Sequence, residues 1–219
     1  MKIKKLISAL VLGSMLVGLS GCNITDFSAE NLLRPPKAVG DEAEIEQLIA
    51  KTADSGYTLK YPKNGKFRSA IIMTDLDGND SNEAVAFFRN SAETSSVHML
   101  VMYSKDNSWE IVSDNIFETT DIDSVDFADL TGNGKAEIIV NSTTYTPNVG
   151  KLSCYSYSEG KTNEVGSGQS CSSFVTGDFD NDGTSEIMSL VLYTTENEAL
   201  ASMLDYNCLY THLRAHETL

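Results

Sequence analysis

The sequence predicts an all-β fold of repeated sheets, preceded by one short helix. Three observations favour this fold. An acidic stretch occurs three times, and an apolar run follows each copy. Short apolar runs separated by turn residues follow one another from about residue 56. Self-similarity at about 50 residues is typical of repeat arrays, and four strands per repeat are typical of a propeller blade. We therefore expect β-propeller-like blades, two complete and one partial.

Residues 1–21 have the composition of a secretory signal. Three lysines precede the apolar run LISALVLGSMLVGL, and small residues lead to Cys22. A basic start, a short apolar run and small residues before a cleavage point are typical of exported proteins. The tetrapeptide Leu-Ser-Gly-Cys resembles the bacterial lipobox, which implies cleavage before Cys22, a diacylglycerol on its thiol, and usually a further acyl chain, such as palmitate, on its new amine. The resemblance implies a lipoprotein on the extracytoplasmic side of the cell membrane; the alternative is an ordinary signal peptide with a chance cysteine.

Residues 22–40 lack periodicity and contain a Pro-Pro pair, so we expect a tether between lipid and domain. Residues 41–67 are predicted to hold a short amphipathic helix and a lead-in. The stretch DEAEIEQLIAKTA has acids in its first turn and apolar residues at helical spacing. These apolar residues are Ile45, Leu48, Ile49 and Ala53.

Residues 68–219 form the predicted repeat domain, whose blades span about 68–117, 122–168 and 172–219. The acidic stretches begin at Asp75, Asp129 and Asp178, which are 54 and 49 residues apart. The first two blades each offer four strand candidates. These are SAIIMTDL, EAVAFFRN, SVHMLVMYSK and SWEIVSDN in the first blade, and SVDFADL, EIIVNST, KLSCYSYS and TNEVGS in the second. The sequence KDNS (105–108) is predicted to form a tight hairpin, and ALASMLDY (199–206) is predicted as the last strand of the third blade.

The acidic stretches are not EF-hands. Position 12 from each lead aspartate, where an EF-hand needs a bidentate glutamate, holds Ala86, Val140 or Ser189. The residues that follow are β-rich and not helical. The pattern D-x-[DN]-x-[DN]-G-x-x-[DE] instead resembles the calcium loops of FG-GAP (integrin-type) and VCBS repeats, and the resemblance covers roughly residues 68–206.

Carried over position by position, the resemblance implies calcium ligands in all three loops. The ligands would be Asp75, Asp77, Asn79, Glu83 and the Ser81 carbonyl in the first loop; Asp129, Thr131, Asn133, Glu137 and the Lys135 carbonyl in the second; and Asp178, Asp180, Asp182, Glu186 and the Thr184 carbonyl in the third. Asp80 replaces the usual glycine, and aspartate tolerates the left-handed conformation needed there. The second loop has two carboxylates and a lysine, so its occupancy stays open. The alternative for every loop is a solvated Asp/Asn turn.

Three cysteines remain beyond the lipobox. An exported protein can keep disulfides, so a Cys154–Cys171 bond is possible, with Cys208 left over. The alternative is that these cysteines are small strand residues. With no C-x-x-C spacing and three scattered histidines, a zinc site is not expected.

Charge and motifs narrow the class of function. The formal net charge is −15, and the first 21 residues hold three lysines and no acid, so the remainder carries −18. Such a chain is not expected to bind nucleic acid. No catalytic motif is present, so we predict a non-catalytic, lipid-anchored module for binding or adhesion, with an unknown protein or glycan as ligand. The alternative is a propeller enzyme, or an enzyme accessory, that acts on envelope or extracellular polysaccharide.

The predicted blades are too few to close a ring by themselves, because propellers usually have at least four. We therefore expect a truncated member of a longer family. An intact short variant, or self-association that completes the ring, is the alternative.

Overall fold

The computed structural model describes residues 40–53, 56–145, 149–158, 160–193 and 205–211, with only the backbone described for residues 192–193 and 205–211. The described part confirms the all-β prediction: it holds one helix and twelve strands in three antiparallel sheets. The predicted signal, Cys22 and residues 22–39 of the predicted tether lie outside the described residues. Within the described ranges, no helix is long and apolar enough to span a membrane.

Helix α1 (Asp41–Thr52) lies where the apolar spacing predicts it. Three acids in the first turn and Lys51 in the last turn complement the helix dipole. Ile45, Ile49 and Ala53 are fully buried against the first sheet. The carboxylate of Glu44 also accepts a hydrogen bond from the backbone N–H of Trp109, at 3.0 Å. The helix is therefore held by its apolar face and by one polar contact with the sheet.

Sheet 1 contains five strands, two of which share one position at its edge. The five strands are β1 (Tyr57–Leu59), β2 (Ile71–Thr74), β3 (Glu83–Asn90), β4 (Val97–Lys105) and β5 (Ser108–Phe117). β1 and β2 both pair with the same edge of β3, β1 beside its last residues and β2 beside its first. The predicted hairpin at 105–108 is confirmed, and Asp106 and Asn107 both have positive φ, as a tight two-residue turn requires.

Sheet 2 contains four strands in sequence order: β6 (Ile122–Ala128), β7 (Glu137–Thr143), β8 (Gly150–Ser158) and β9 (Lys161–Cys171). Segment 63–67, which leads from β1 to β2, lies along the outer edge of β6. The backbone N–H groups of Lys63 and Asn64 donate to carbonyls of β6, and Phe67 packs edge-on against Phe127 with centroids 4.8 Å apart. The edge of sheet 2 is thus partly covered by a segment from sheet 1.

The possible Cys154–Cys171 disulfide is not formed, since both cysteines are buried free thiols, and the alternative holds: they are strand residues of β8 and β9. Cys154 lies opposite Gly166, whereas Cys171 lies opposite Gly150. Their positions along the two paired strands therefore differ by four residues, which is roughly 13 Å at the rise of a strand. Burial raises the pKa of Cys154 to about 12 and that of Cys171 to about 11, so both thiols stay protonated.

Sheet 3 contains β10 (Ser173–Gly177), β11 (Glu186–Tyr193) and β12 (Asp205–Thr211). β12 pairs with β11. Of the strand predicted over 199–206, residues 205 and 206 lie in β12, and residues 199–204 lie outside the described residues.

The three sheets stack in series through alternating side chains. On β3, Ala84 and Ala86 face α1, whereas Val85 and Phe87 face sheet 2. On β7, residues 138 and 140 face sheet 1 and Ile139 faces sheet 3, where it joins Ile187. The order is therefore α1, sheet 1, sheet 2, sheet 3. The described residues form an open series and show no closed ring.

Candidate metal centres

Each sheet carries one acidic loop, which joins two antiparallel strands that pair with each other. Loop one (residues 75–83) joins β2 to β3, loop two (residues 129–137) joins β6 to β7, and loop three (residues 178–186) joins β10 to β11. In all three, the lead aspartate directly follows a strand and the final glutamate opens the next strand. The loops therefore occupy equivalent positions in the three sheets.

In each loop the chain turns around the carboxylate of the lead aspartate, which accepts hydrogen bonds from the backbone N–H groups that follow. Asp129 accepts hydrogen bonds from the N–H groups of Gly132 and Gly134, both at 2.7 Å. Asp75 and Asp178 accept from N–H groups three to five residues further along. Desolvation acts to raise the pKa of Asp75, but these N–H groups outweigh it, so the pKa lies below its usual value. The carboxylate is therefore held in its ionised form.

The fifth residue of each loop makes a second, smaller turn. Asn79, Asn133 and Asp182 each accept a hydrogen bond from the N–H two residues later, at 2.7, 2.8 and 2.8 Å. The donors are the three residues whose carbonyl groups were predicted as ligands, Ser81, Lys135 and Thr184. Asp80 has a φ of 65°, in agreement with its predicted left-handed conformation.

The last residue of each loop is a buried glutamate. Glu83, Glu137 and Glu186 are 4%, 1% and 3% exposed, although each is a carboxylic acid. Each accepts a hydrogen bond, at 2.7–2.8 Å, from the N–H of the second loop residue. Burial, followed by the charge of neighbouring aspartates, raises the pKa of Glu83 and Glu137. Within the described ranges, no lysine, arginine or histidine forms an ion pair with these glutamates.

Loops one and three bring carboxylates together, as the sequence predicts. In loop three, one oxygen from each of Asp178, Asp180, Asp182 and Glu186 lies within 4.8 Å of the others. In loop one the same holds for Asp75, Asp77 and Glu83. The Oδ1 atom of Asp77 is fully buried and has no hydrogen-bond partner in the described part of the chain.

Loop two has the same backbone but a weaker set of ligands. Its two carboxylates belong to Asp129 and Glu137, and Thr131 stands where the other loops have aspartate. The Thr131 hydroxyl oxygen is buried. Loop two therefore offers less negative charge to a cation than its neighbours do.

The donor set of loops one and three fits a hard divalent cation. All the clustered donors are oxygens, and calcium takes six to eight oxygens from carboxylates, amide carbonyls and water. Carboxylates that are buried without a counter-charge are costly, and proteins normally pair such groups or use them to hold metals. In loop one, the buried Asp77 oxygen and the buried Glu83 belong to the same cluster, so a cation there would satisfy both.

The loops also contact one another, which the sequence did not predict. The N–H of Ala136 in loop two donates to the carbonyl of Leu76 in loop one at 3.0 Å, and the N–H of Ser185 in loop three donates to the carbonyl of Asp129 at 2.8 Å. Gly78 lies so close to loop two that a Cβ atom there would be 2.7 Å from the carbonyl oxygen of Gly134. The three loops therefore form one continuous row.

A second polar cluster surrounds His98 on β4, and sequence reasoning missed it. His98 is 6% exposed; its Nδ1 lies 2.9 Å from both carboxylate oxygens of Asp114, and its Nε2 lies 3.0 Å from Glu93. The ring also stacks on Phe88, with centroids 4.8 Å apart. Burial acts to lower the pKa of His98, but the two carboxylates outweigh it and raise the pKa above its usual value. The two carboxylates therefore favour the protonated form of the buried His98 ring.

No family model, curated protein or solved structure matches this chain. The functional assignment consequently rests on the repeated loops and on the sheets that carry them.

Proposed function

We propose that this protein is a non-catalytic, extracytoplasmic binding or adhesion module of the FG-GAP/VCBS type, with propeller-like blades whose acidic loops are stabilised by calcium. The observation that carries the proposal is the threefold recurrence of one loop geometry at equivalent positions in three stacked sheets. In each loop the lead aspartate and a buried glutamate both accept hydrogen bonds from backbone N–H groups of that loop.

The repetition supports a structural metal. An active site is normally a single constellation, whereas these loops recur with the sheets and contact each other along a row. A cation held in each of loops one and three would tie the end of the strand before the loop to the start of the strand after it. The loops would then stabilise the stack, and the connections at the other end of the sheets would remain free to bind a ligand.

The proposed location follows from the lipobox and from the charge. Acyl chains on Cys22 would hold the protein at the membrane, because a chain with a net charge of −18 beyond residue 21 has little electrostatic affinity for anionic lipid. Extracytoplasmic fluid commonly supplies calcium at concentrations that weak sites can use.

Thermal unfolding of the full-length protein in mild detergent tests the calcium assignment. A ligand that binds only the native state stabilises it by RT ln(1 + [L]/Kd), which is about 2.7 kcal/mol at a roughly 100-fold excess over Kd. We expect calcium to raise the Tm relative to chelator. The double variant Asp178→Ala/Asp180→Ala should show a smaller rise, because only loop one retains its carboxylate cluster.

The matched control is Glu42→Ala/Glu164→Ala, which removes two exposed acids outside the loops and changes the net charge equally. It should keep the full calcium response. A cooperative transition with the same Tm in calcium and in chelator would reduce the loops to solvated turns and overturn the metal assignment.

A further inference from the structure

We propose that loops one and three bind calcium with positive cooperativity, and that loop two carries the coupling between them. This inference rests on the proposed calcium function and adds the regulation of those sites, because filling one loop would raise the affinity of the other. The structural basis is a series of backbone contacts that runs from the clustered carboxylates of loop one, through loop two, to those of loop three.

The contact between loops one and two lies among the predicted ligands of loop one. The N–H of Ala136 donates to the carbonyl of Leu76 at 3.0 Å. Leu76 stands between Asp75 and Asp77, which both belong to the carboxylate cluster, and its own side chain is fully buried. Holding the two aspartates around a cation would therefore also hold the carbonyl group that loop two contacts.

Loop two connects this contact to its other side through its own hydrogen bonds. Ala136 directly precedes Glu137, whose carboxylate accepts from the N–H of Leu130 at 2.8 Å. Leu130 directly follows Asp129, and the Asp129 carboxylate accepts four further N–H groups of the loop. The positions of Ala136 and Asp129 therefore depend on each other, even though loop two has the weakest set of ligands.

The contact between loops two and three repeats the first one. The N–H of Ser185 donates to the carbonyl of Asp129 at 2.8 Å, and Ser185 is the eighth residue of its loop, as Ala136 is of loop two. Ser185 stands between Thr184 and Glu186, which are both predicted ligands of loop three. An ordered Asp129 would therefore help to hold the ligands of loop three in place.

Each pair of neighbouring loops also approaches closely at a glycine. A Cβ atom at Gly78 would lie 2.7 Å from the carbonyl oxygen of Gly134, and one at Gly132 would lie 2.9 Å from the Thr184 hydroxyl oxygen. Loops packed this closely restrict each other's motion. A loop that its neighbour already holds loses less conformational freedom when it binds, and such preorganisation raises affinity.

Repulsion between the two cations opposes this cooperativity but is weak. Sheet 2 lies between the sheets that carry loops one and three, so the two sites are about 20 Å apart at the usual spacing of roughly 10 Å between packed sheets. The Debye length at physiological ionic strength is about 8 Å, so salt screens most of the repulsion. The contacts between loops therefore decide the sign of the coupling.

Calcium titration of the full-length protein in mild detergent, followed by NMR, tests the coupling. Each outer loop has its own reporter, since the N–H of Gly78 donates to Asp75 and the N–H of Gly183 donates to Asp178. In the wild type, we expect both resonances to titrate over the same range of calcium concentration, with a Hill coefficient above one.

Variants that disable one outer loop measure the size of the coupling. Asp178→Ala/Asp180→Ala should weaken calcium binding in loop one about fivefold, and Asp75→Ala/Asp77→Ala should weaken binding in loop three by the same factor, because coupling between two sites is reciprocal. The fold change should persist in high salt, since it arises from contacts and not from screened charge.

Variants of loop two test whether it carries the coupling. Asp129→Ala removes the carboxylate around which loop two turns, and in that background disabling one outer loop should no longer weaken the other. Ala136→Pro removes the N–H donated to Leu76 and gives the same test if Asp129→Ala does not fold. The charge control Glu42→Ala/Glu164→Ala should keep the coupling.

The possible results separate this inference from the calcium assignment. Saturable binding in each outer loop, with an affinity that does not depend on the other loop, would overturn the cooperativity and leave the calcium assignment standing. Coupling that persists in both loop-two variants would overturn the role of loop two. Absence of saturable calcium binding at both reporters would overturn the calcium assignment, and this inference with it.

Discussion

His98 is a buried titratable residue whose protonated form is favoured by two neighbouring carboxylates. A buried imidazolium is costly alone, but Asp114 and Glu93 contact both ring nitrogens and Phe88 covers one face of the ring. An arrangement of this kind favours the protonated form in the folded state. His98 consequently couples the stability of sheet 1 to pH.

We predict that stability falls as pH rises from about 6.5, the ordinary pKa of histidine, through the raised pKa of His98 in the folded protein. The folded state binds this proton more tightly than the unfolded state does, so the stabilisation is complete below the unfolded pKa and is lost above the folded pKa. Urea unfolding measured from pH 5.5 to 9 should show this decline, and His98→Gln should remove it. The double variant His212→Gln/His216→Gln should retain the decline; a wild-type profile that His98→Gln leaves unaltered would contradict the prediction.

At the same scale, the sequence predicted which acidic residues share a loop better than it predicted their surroundings. Asp75, Asp178 and Glu186 could be named because spacing within nine residues fixes which side chains share a loop. The burial of Glu186 to 3% exposure, and the meeting of Glu93, His98 and Asp114, depend on how strands pair and stack. Nothing in the local sequence encodes such contacts.

Among the elements, the acidic loops depend on glycines for two different reasons. Gly78 and Gly134 both have positive φ, 73° and 78°, where a side chain is strained. A Cβ atom at Gly78 would also meet the carbonyl oxygen of Gly134 at 2.7 Å, whereas a Cβ atom at Gly134 would meet nothing within 4 Å. Substitutions at the two positions therefore distinguish the cost of backbone strain from the cost of disturbing the contact between loops one and two.

We predict that Gly78→Ala destabilises the protein more than Gly134→Ala does. Each substitution should cost about 1–2 kcal/mol through the left-handed backbone. Gly78→Ala should cost about 1–3 kcal/mol more, because two backbones that touch cannot relax as a flexible side chain can. Denaturant unfolding in calcium measures both. Equal losses in the two variants would mean that the contact between loops one and two contributes nothing.

Strand prediction succeeded where apolar runs are bounded by turns, as in β3, β4 and β7. It missed β1, which has only three residues and exists because it completes the edge of β3. The strand predicted for the third blade ended at residue 206, whereas β12 continues to Thr211 because residues 207–211 also pair with β11. The disulfide failed for a related reason: Cys154 and Cys171 join the same buried cluster, but strand register keeps them apart.

For the whole molecule, the serial stack implies that stability is distributed unevenly. Sheet 1 is covered by α1 on one face and by sheet 2 on the other, so six consecutive residues of β3, Glu83–Phe88, are buried. β10 lies at an edge of sheet 3 and has no buried residue. Proteins built from units that contact mainly their neighbours open locally according to the interfaces of each unit.

We therefore predict that amide hydrogen exchange is slowest in β3 and fastest in β10, by at least about 100-fold, which corresponds to about 2.7 kcal/mol. Calcium should narrow this difference, because a cation in loop three would hold the start of β11 to the end of β10. The N–H groups of Ser185 and Ala136 are the most direct reporters, since each donates across to the neighbouring loop. Both should gain protection with calcium in the wild type, and Ser185 should gain little in Asp178→Ala/Asp180→Ala. Uniform protection of all three sheets, with or without calcium, would instead mean that the stack unfolds as one cooperative unit and that the loops do not govern its weakest sheet.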